Sequence, residues 1–216
     1  MEQEQAGVEF IRSYISERFP MYTENPAFET WLFGRTGTSV EKLDDYLNLL
    51  YGYGYLQGDG TVIEGYEAMP VPSEVKADIE RRLAALGGDT VAVLRRASVE
   101  GALFGTRLLK VIDGDAADVD RHLAAAAAAG VIASDPNPAE LPVLGHRYRF
   151  VPLQIRDVLY QELSESERAG YHTALVEYLS GQLDHAGETG ERDMLAALIS
   201  EHNKRFTRPD PPPAGE

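Results

Sequence analysis

Apolar residues recur at intervals of three and four along most of this chain, the period that places them on one face of a helix. Between residues 89 and 163, Val91, Leu94 and Ala97 mark one helix and Phe104, Leu108 and Ile112 a second. Ala116, Val119, Leu123 and Ala126 mark a third, opening at Asp115. Gly130 stands where the third must close, a position that favours a left-handed residue. The period then changes. Val131-Ile132-Ala133 and Tyr148-Arg149-Phe150-Val151 read as two short strands joined by a proline-rich loop. Upstream, residues 1–6 read as a frayed terminus, and Val8, Ile11, Ile15 and Phe19 mark a helix stopped by Pro20. The next helix turns Phe28, Trp31 and Leu32 inward and is broken by Gly34 and Gly37. Thr38 with Glu41 has capping-box spacing and opens a helix carrying Val40, Leu43, Leu47 and Leu50. Tyr51 to Tyr55, a Gly58-Asp59-Gly60 turn and Thr61-Val62-Ile63 predict a hairpin.

After Met69-Pro70-Val71-Pro72, a helix with Val75, Ile79, Leu83 and Leu86 inward and Arg81-Arg82 outward bridges two halves, with a boundary near residues 65–71. Past the second strand, Leu153, Ile155, Val158 and Leu159 mark a helix ending near Leu163. Ser164 and Glu167 have capping-box spacing ahead of a helix burying Leu175, Val176 and Leu179. Residues 187–190 read as a polar turn, and Met194, Leu198, Ile199 and Phe206 mark the last helix. Three helices capped by a hairpin make a winged helix. Helix, glycine, strand, turn, strand occurs at 39–63 and again at 115–151, a weak internal echo. The fold class expected is mainly α with short β-hairpins, a scaffold that does not by itself name a function.

Charge narrows the partners. The 216 residues hold 35 acidic and 20 basic side chains, a net charge of −15 that repels phosphate backbones and favours a protein partner with a basic surface. There are no cysteines, so disulfides and thiolate chemistry are excluded. No apolar run reaches the ~20 residues that span a bilayer, and the acidic start is unlike a secretory signal. A cytoplasmic protein that does not contact membranes is expected.

Candidate chemistry is sparse. No phosphate-binding Gly-rich loop with its lysine is present; Gly34-Arg35-Thr36-Gly37 and the Gly101 to Gly105 stretch lack it. His122, His146, His172, His185 and His202 do not pair at metal-ligand spacing on one helix, and His172 and His202 fall at or beside apolar helical positions, which predicts buried packing. No serine sits in a nucleophile elbow, and Asp44-Asp45 and Asp118-x-Asp120 read as solvated helix faces. No catalytic residue, cofactor or metal is expected. The third helix, the one that would enter a major groove, brings Asp115, Asp118 and Asp120 against only Arg121 and His122. Arg147 and Arg149 on the wing are the candidates for an alternative, nucleic-acid contact. Alanines 124–129 read as a thin, close-packing helix face. Trp31, Tyr51, Tyr53 and Tyr55 are the candidate partner-binding residues, with a plain packing role as their other reading.

Leu94-Arg95-Arg96-Ala97-Ser98-Val99-Glu100-Gly101-Ala102-Leu103-Phe104 resembles the start of the winged helix in STAND-type, AAA+-related bacterial signalling ATPases, among them large LuxR-type regulators and ATPase-linked adenylate cyclases. Tyr148-Arg149-Phe150 through Ile155-Arg156-Asp157-Val158-Leu159-Tyr160 resembles the family's strand-to-helix signature, and residues 168–179 the helix after it. Residues 11–20 and 35–50 resemble the helical lid. The resemblance spans roughly residues 8–181. With the periodicity above, it divides the chain into a lid-like, pseudo-winged-helix subdomain at 7–66, a bridging helix and winged helix at 72–163 and, from apolar spacing, a helical hairpin at 164–206, while proline richness predicts a disordered tail at 207–216. Two departures stand out. The nucleotide-binding core expected before Val8 is not in this sequence. The family's Phe-x-His-x-x-x-Arg-Asp pattern has Pro152 where the nucleotide-contacting histidine belongs, while Arg156 and Asp157 remain. The resemblance therefore implies a regulatory module that works by protein–protein contact. The alternatives are a winged-helix DNA-binding regulator, or part of an ATPase completed by a separate nucleotide-binding subunit.

Overall fold

A computed structural model describes residues 2–113, 116–135, 142–187 and 189–207. Those residues form ten α-helices and one small antiparallel sheet, so the protein is mainly helical. Asp115, most of the proline-rich loop, residue 188, the tail after Thr207 and the side chain of Phe206 lie outside the described residues. The chain divides between Pro72 and Ser73 into two compact units.

The first unit holds α1 (Glu2–Arg18), α2 (Pro26–Thr36) and α3 (Val40–Gly52). The helix starts at Glu2, inside the segment expected to fray. Ile11, Ile15, Phe28, Leu32, Leu43, Tyr46, Leu47 and Leu50 form the core. Asn25 caps α2 by accepting from the Phe28 N–H at 3.1 Å, and Pro26 occupies the first turn, where its missing N–H costs nothing. Gly34 does not break this helix. A single helical glycine costs only about 1 kcal/mol, and the buried Arg35 and Thr36 beyond it hold the last turn. The chain leaves at Gly37, whose φ of 56° suits glycine. The cap of α3 falls at Ser39, not Thr38, with Ser39 Oγ accepting from the Lys42 N–H. That shift puts Val40 at the exposed helix start, and the buried stripe begins at Leu43. The expected hairpin shrinks to a single antiparallel bridge between Leu56 and Val62.

The second unit opens with α4 (Ser73–Ala84) and α5 (Gly88–Ala97), then β1 (Leu103–Gly105), α6 (Thr106–Asp113) and α7 (Ala116–Ala128). Then come β2 (Ile132–Ser134), β3 (Arg147–Phe150), α8 (Gln154–Gln161), α9 (Glu165–His185) and α10 (Thr189–Thr207). The sheet order is β1-β3-β2, with Leu103, Arg149 and Ala133 in one cross-strand row and Phe104, Tyr148 and Ser134 in the next. Phe104 therefore belongs to a strand and not to the second helix. Its spacing of four to Leu108 mimics a helical repeat, and three residues are too few to display a strand's alternation. In α5 Leu94 and Ala97 are buried as expected, but Val93 is buried in place of Val91, which is only half-buried. The Ser164 capping box forms in full. Gly190 lies within α10, so the turn is shorter than 187–190; Leu198 and Ile199 pack on the core as expected, but Leu195 is buried there in place of Met194, which is 37% exposed.

Gly105 sits on the backbone of a neighbouring turn: a Cβ there would lie 2.3 Å from the Leu144 carbonyl oxygen. Gly130 has positive φ but open space around it. Gly130→Ala is expected to cost about 1–2 kcal/mol, the left-handed penalty alone. Gly105→Ala should cost more, because strand and turn must separate. Urea unfolding of the two variants checks the order, and equal costs would contradict the close approach.

Candidate functional site

The four aromatic candidates part company. Trp31, on α2, turns into an aromatic cluster: its ring stacks on Phe28 at 6.1 Å and meets Tyr66 and Tyr46 edge-on at 5.1 and 6.2 Å. The Arg35 guanidinium covers it at 4.2 Å. Its indole Nε1 is buried, with no acceptor among the described residues. Tyr55 is half-buried against the same core. Tyr51 and Tyr53 remain on the surface, at 60% and 37% exposure. Met21 and Ile63, which periodicity does not single out, stand exposed in the same unit. The one sequence signal for Met21 was its position between a helix stop and a helix cap.

Beneath this surface lies a buried carboxylate that sequence reasoning missed. Glu29 is fully buried on α2. Arg12 Nε and Nη2 donate to its Oε2 at 3.0 and 2.8 Å, and the Tyr22 hydroxyl and Asn25 N–H donate to Oε1 at 3.0 and 3.2 Å. The hydrogen bond to Glu29 raises the Arg12 pKa, and burial, followed by the Glu29 charge, raises that of Tyr22. Both oxygens are engaged, so the group holds α1, the following loop and α2 together and is not a reactive acid. A glutamate beside apolar residues on a helix reads as a solvated position, and its arginine partner lies seventeen residues away.

The nucleic-acid candidates are mostly occupied. Arg147 pairs with Asp135 at 3.1 Å, Arg121 with Asp118 at 3.2 Å and Lys110 with Asp120 at 2.7 Å. His122 Nδ1 shares a hydrogen bond with Thr90 Oγ1 at 2.9 Å. Arg149 is exposed. The alanine run does not form a packing face: Ala126 is buried, but Ala124, Ala125, Ala128 and Ala129 are exposed. Val119, Leu123 and Ala126 already complete the inward stripe, and the others fall off it.

Two histidine pairings carry possible chemistry. His172 and His202 are buried, as their apolar positions predict, with Nδ1 atoms 3.0 Å apart and the Tyr160 hydroxyl 3.0 Å from His172 Nε2. Ser134 Oγ lies 2.9 Å from His146 Nε2 on an exposed strand end, and the adjacent Asp135 is paired with Arg147. Among the described residues no group of three His, Cys, Asp or Glu could hold a metal, and no helix is long and apolar enough to cross a membrane. Arg156 donates to the Ser98 carbonyl at 2.9 Å, pairs with Asp157 at 3.3 Å and lies 4.3 Å over the Tyr160 ring.

Glu100 is half-buried as a residue, but its carboxylate is turned inward, where Oε2 accepts from the Gly105 N–H at 2.8 Å. Burial pushes its pKa up to about 8, and the Gly105 N–H offsets only part of that. Comparison with protein-family models, curated proteins and solved structures returned no match.

Because the folded pKa of Glu100 exceeds the ordinary 4.5, the folded state binds the extra proton between these values. The contribution of Glu100 to stability is therefore expected to fall as pH rises from 4.5 to about 8, with a slope of at most about 1.4 kcal/mol per pH unit. Glu100→Gln should flatten that slope. Urea midpoints measured across the window check it, and parallel pH profiles for the two proteins would contradict the inward carboxyl.

Proposed function

We propose that this chain is a non-enzymatic regulatory module, related to the lid and winged-helix region of STAND-type signalling ATPases, that acts through protein–protein contact. The order α5, β1, α6, α7, β2, β3 with sheet order β1-β3-β2 supports a winged helix in the second unit, with β2 and β3 as the wing. The three helices of the first unit support its likeness to a lid.

The observation that carries the reading is the junction from β3 to α8. Pro152 stands where the resemblance places a nucleotide-contacting histidine, and a proline has neither a side-chain donor nor a backbone N–H. Arg156, the basic residue retained nearby, is bound to the Ser98 carbonyl, Asp157 and the Tyr160 ring. The exposed Tyr51 and Tyr53 support contact with another protein. For a winged-helix DNA reader, the exposed Arg149 is the supporting residue, set against the paired Arg147 and the exposed carboxylates of Asp118 and Asp120.

Isothermal titration with ATP and with ADP, each with Mg²⁺, tests the proposal. No saturable heat is expected up to millimolar nucleotide. Saturable binding would overturn it in favour of an ATPase-type regulator.

A further inference from the structure

We propose that the turn side of the first unit docks a cationic segment of a partner protein, one in which arginine or lysine alternates with apolar residues. The inference rests on the protein-contact reading above and names the partner's chemistry.

Four of the large apolar side chains exposed among the described residues flank the 58–60 turn in the chain or lie on the loop packed against it: Met21 at 76%, Tyr51 at 60%, Ile63 at 44% and Tyr53 at 37%. A Cβ on Gly58 would lie 3.9 Å from the Tyr51 ring. A Cβ on Gly60 would lie 2.9 Å from Phe19 Cβ and 3.0 Å from the Tyr22 backbone, which brings the loop carrying Met21 against the other side. Ile63 is held opposite Tyr55 by its N–H to the Tyr55 carbonyl at 2.8 Å. The backbone beneath is fixed. Gln57 donates to Thr61 and Gly54 carbonyls according to its backbone and side-chain N–H groups, each at 2.9 Å, and the Tyr53 N–H bonds the Leu49 carbonyl. A surface whose backbone is already ordered loses little entropy on binding. Phe19, Tyr22, Tyr55 and Val62 next to it already pack on the core. The four exposed side chains are what folding leaves uncovered, and large apolar side chains left exposed close to one turn offer contact area to a partner.

Charge selects the occupant. Through Pro72 the chain carries twelve Asp and Glu against four Arg and Lys. Arg12 and Arg18 are in ion pairs with Glu29 and Asp44, and Arg35 lies over Trp31. Asp59 and Glu64 stand exposed on the turn itself, while Glu24 after the Met21 loop, 65% exposed, is already paired with Arg12 at 3.3 Å. The Asp59 carboxylate accepts from the Thr61 N–H at 2.8 Å, which lowers its pKa and keeps it anionic. Tyrosine faces attract guanidinium and ammonium groups, and the carboxylates steer them there. The same charges repel nucleic acid and anionic lipid.

The test titrates isotope-labelled full chain with acetyl-Leu-Arg-Leu-Arg-Leu-Arg-amide and with its glutamate counterpart, reading backbone amide shifts. Saturable shifts confined to residues 20–24 and 51–64, with the arginine peptide only, are expected. Tyr51→Ser with Tyr53→Ser should weaken that binding about tenfold, with the rest of the spectrum unchanged because both side chains are exposed. Asp59→Asn should weaken it as well. Shifts that spread over the acidic surface and ignore the tyrosine changes would overturn the proposal, as would equal binding of the glutamate peptide or no shifts at millimolar peptide. Any of these together with nucleotide silence removes the cationic partner and leaves the protein-contact reading standing. Saturable nucleotide binding removes that reading, whatever the peptides do.

Discussion

A carboxylate sealed inside an apolar core is a large liability unless every lone pair is met, and Glu29 meets this condition through Arg12, Tyr22 and Asn25. Removing the guanidinium would strand a buried anion. Removing the carboxylate would leave a guanidinium that still reaches water, since the Arg12 side chain is 32% exposed. The arrangement of α1 against α2 depends on this pair more than on any single apolar contact, because leucines can be exchanged for one another and this geometry cannot.

Arginines serve the same purpose through the second unit. Arg82 caps the carbonyls of Gly130 and Val151, joining α4 to the end of α7 and to the strand exit. Arg95 reaches Glu162, Arg96 pairs with Asp113, and Arg168 donates to the Leu163 carbonyl. In a chain with 20 basic residues against 35 acidic ones, this use of guanidinium as internal joint leaves few cations for phosphate. The planar fork of arginine, with its fixed set of donors, suits it to tie carbonyls and carboxylates from separate elements. The acidic surface and the structural use of arginine are thus one feature of the chain.

The helices were legible because each buries a stripe at a period that a sequence displays, and the capping box at Ser164 is local. What escaped was short or distant. β1 is three residues long and its buried apolar member, Phe104, falls on the helical repeat of α6. The start of α3 and the inward face of α10 each differ by one residue, because Thr38 and Ser39 are both competent caps and Met194 and Leu195 are both competent core residues. The Glu29 network escaped because its partners come together only when α1 and α2 pack. Of the candidate surface, the tyrosines at 51 and 53 could be named from sequence. Their separation from Trp31 could not, since all are aromatic and only folding decides which ring meets Phe28. The alanines of α7 misled because small residues fit equally well inside and outside.

The His172–His202 contact carries a consequence for how this hairpin of helices can vary. Two imidazole nitrogens 3.0 Å apart can bond only if one bears a proton and the other does not. The choice then propagates to Tyr160, which must donate to His172 in one arrangement and accept from it in the other. The three side chains thus form a directional string with two senses, and it fits a single vertical alignment of α9 on α10. An apolar seam would tolerate sliding by a turn. A buried polar string does not, because any slip leaves unmatched donors out of reach of water. Replacing either histidine therefore removes the ring-to-ring bond of the other and with it the link that fixes the sense of the string.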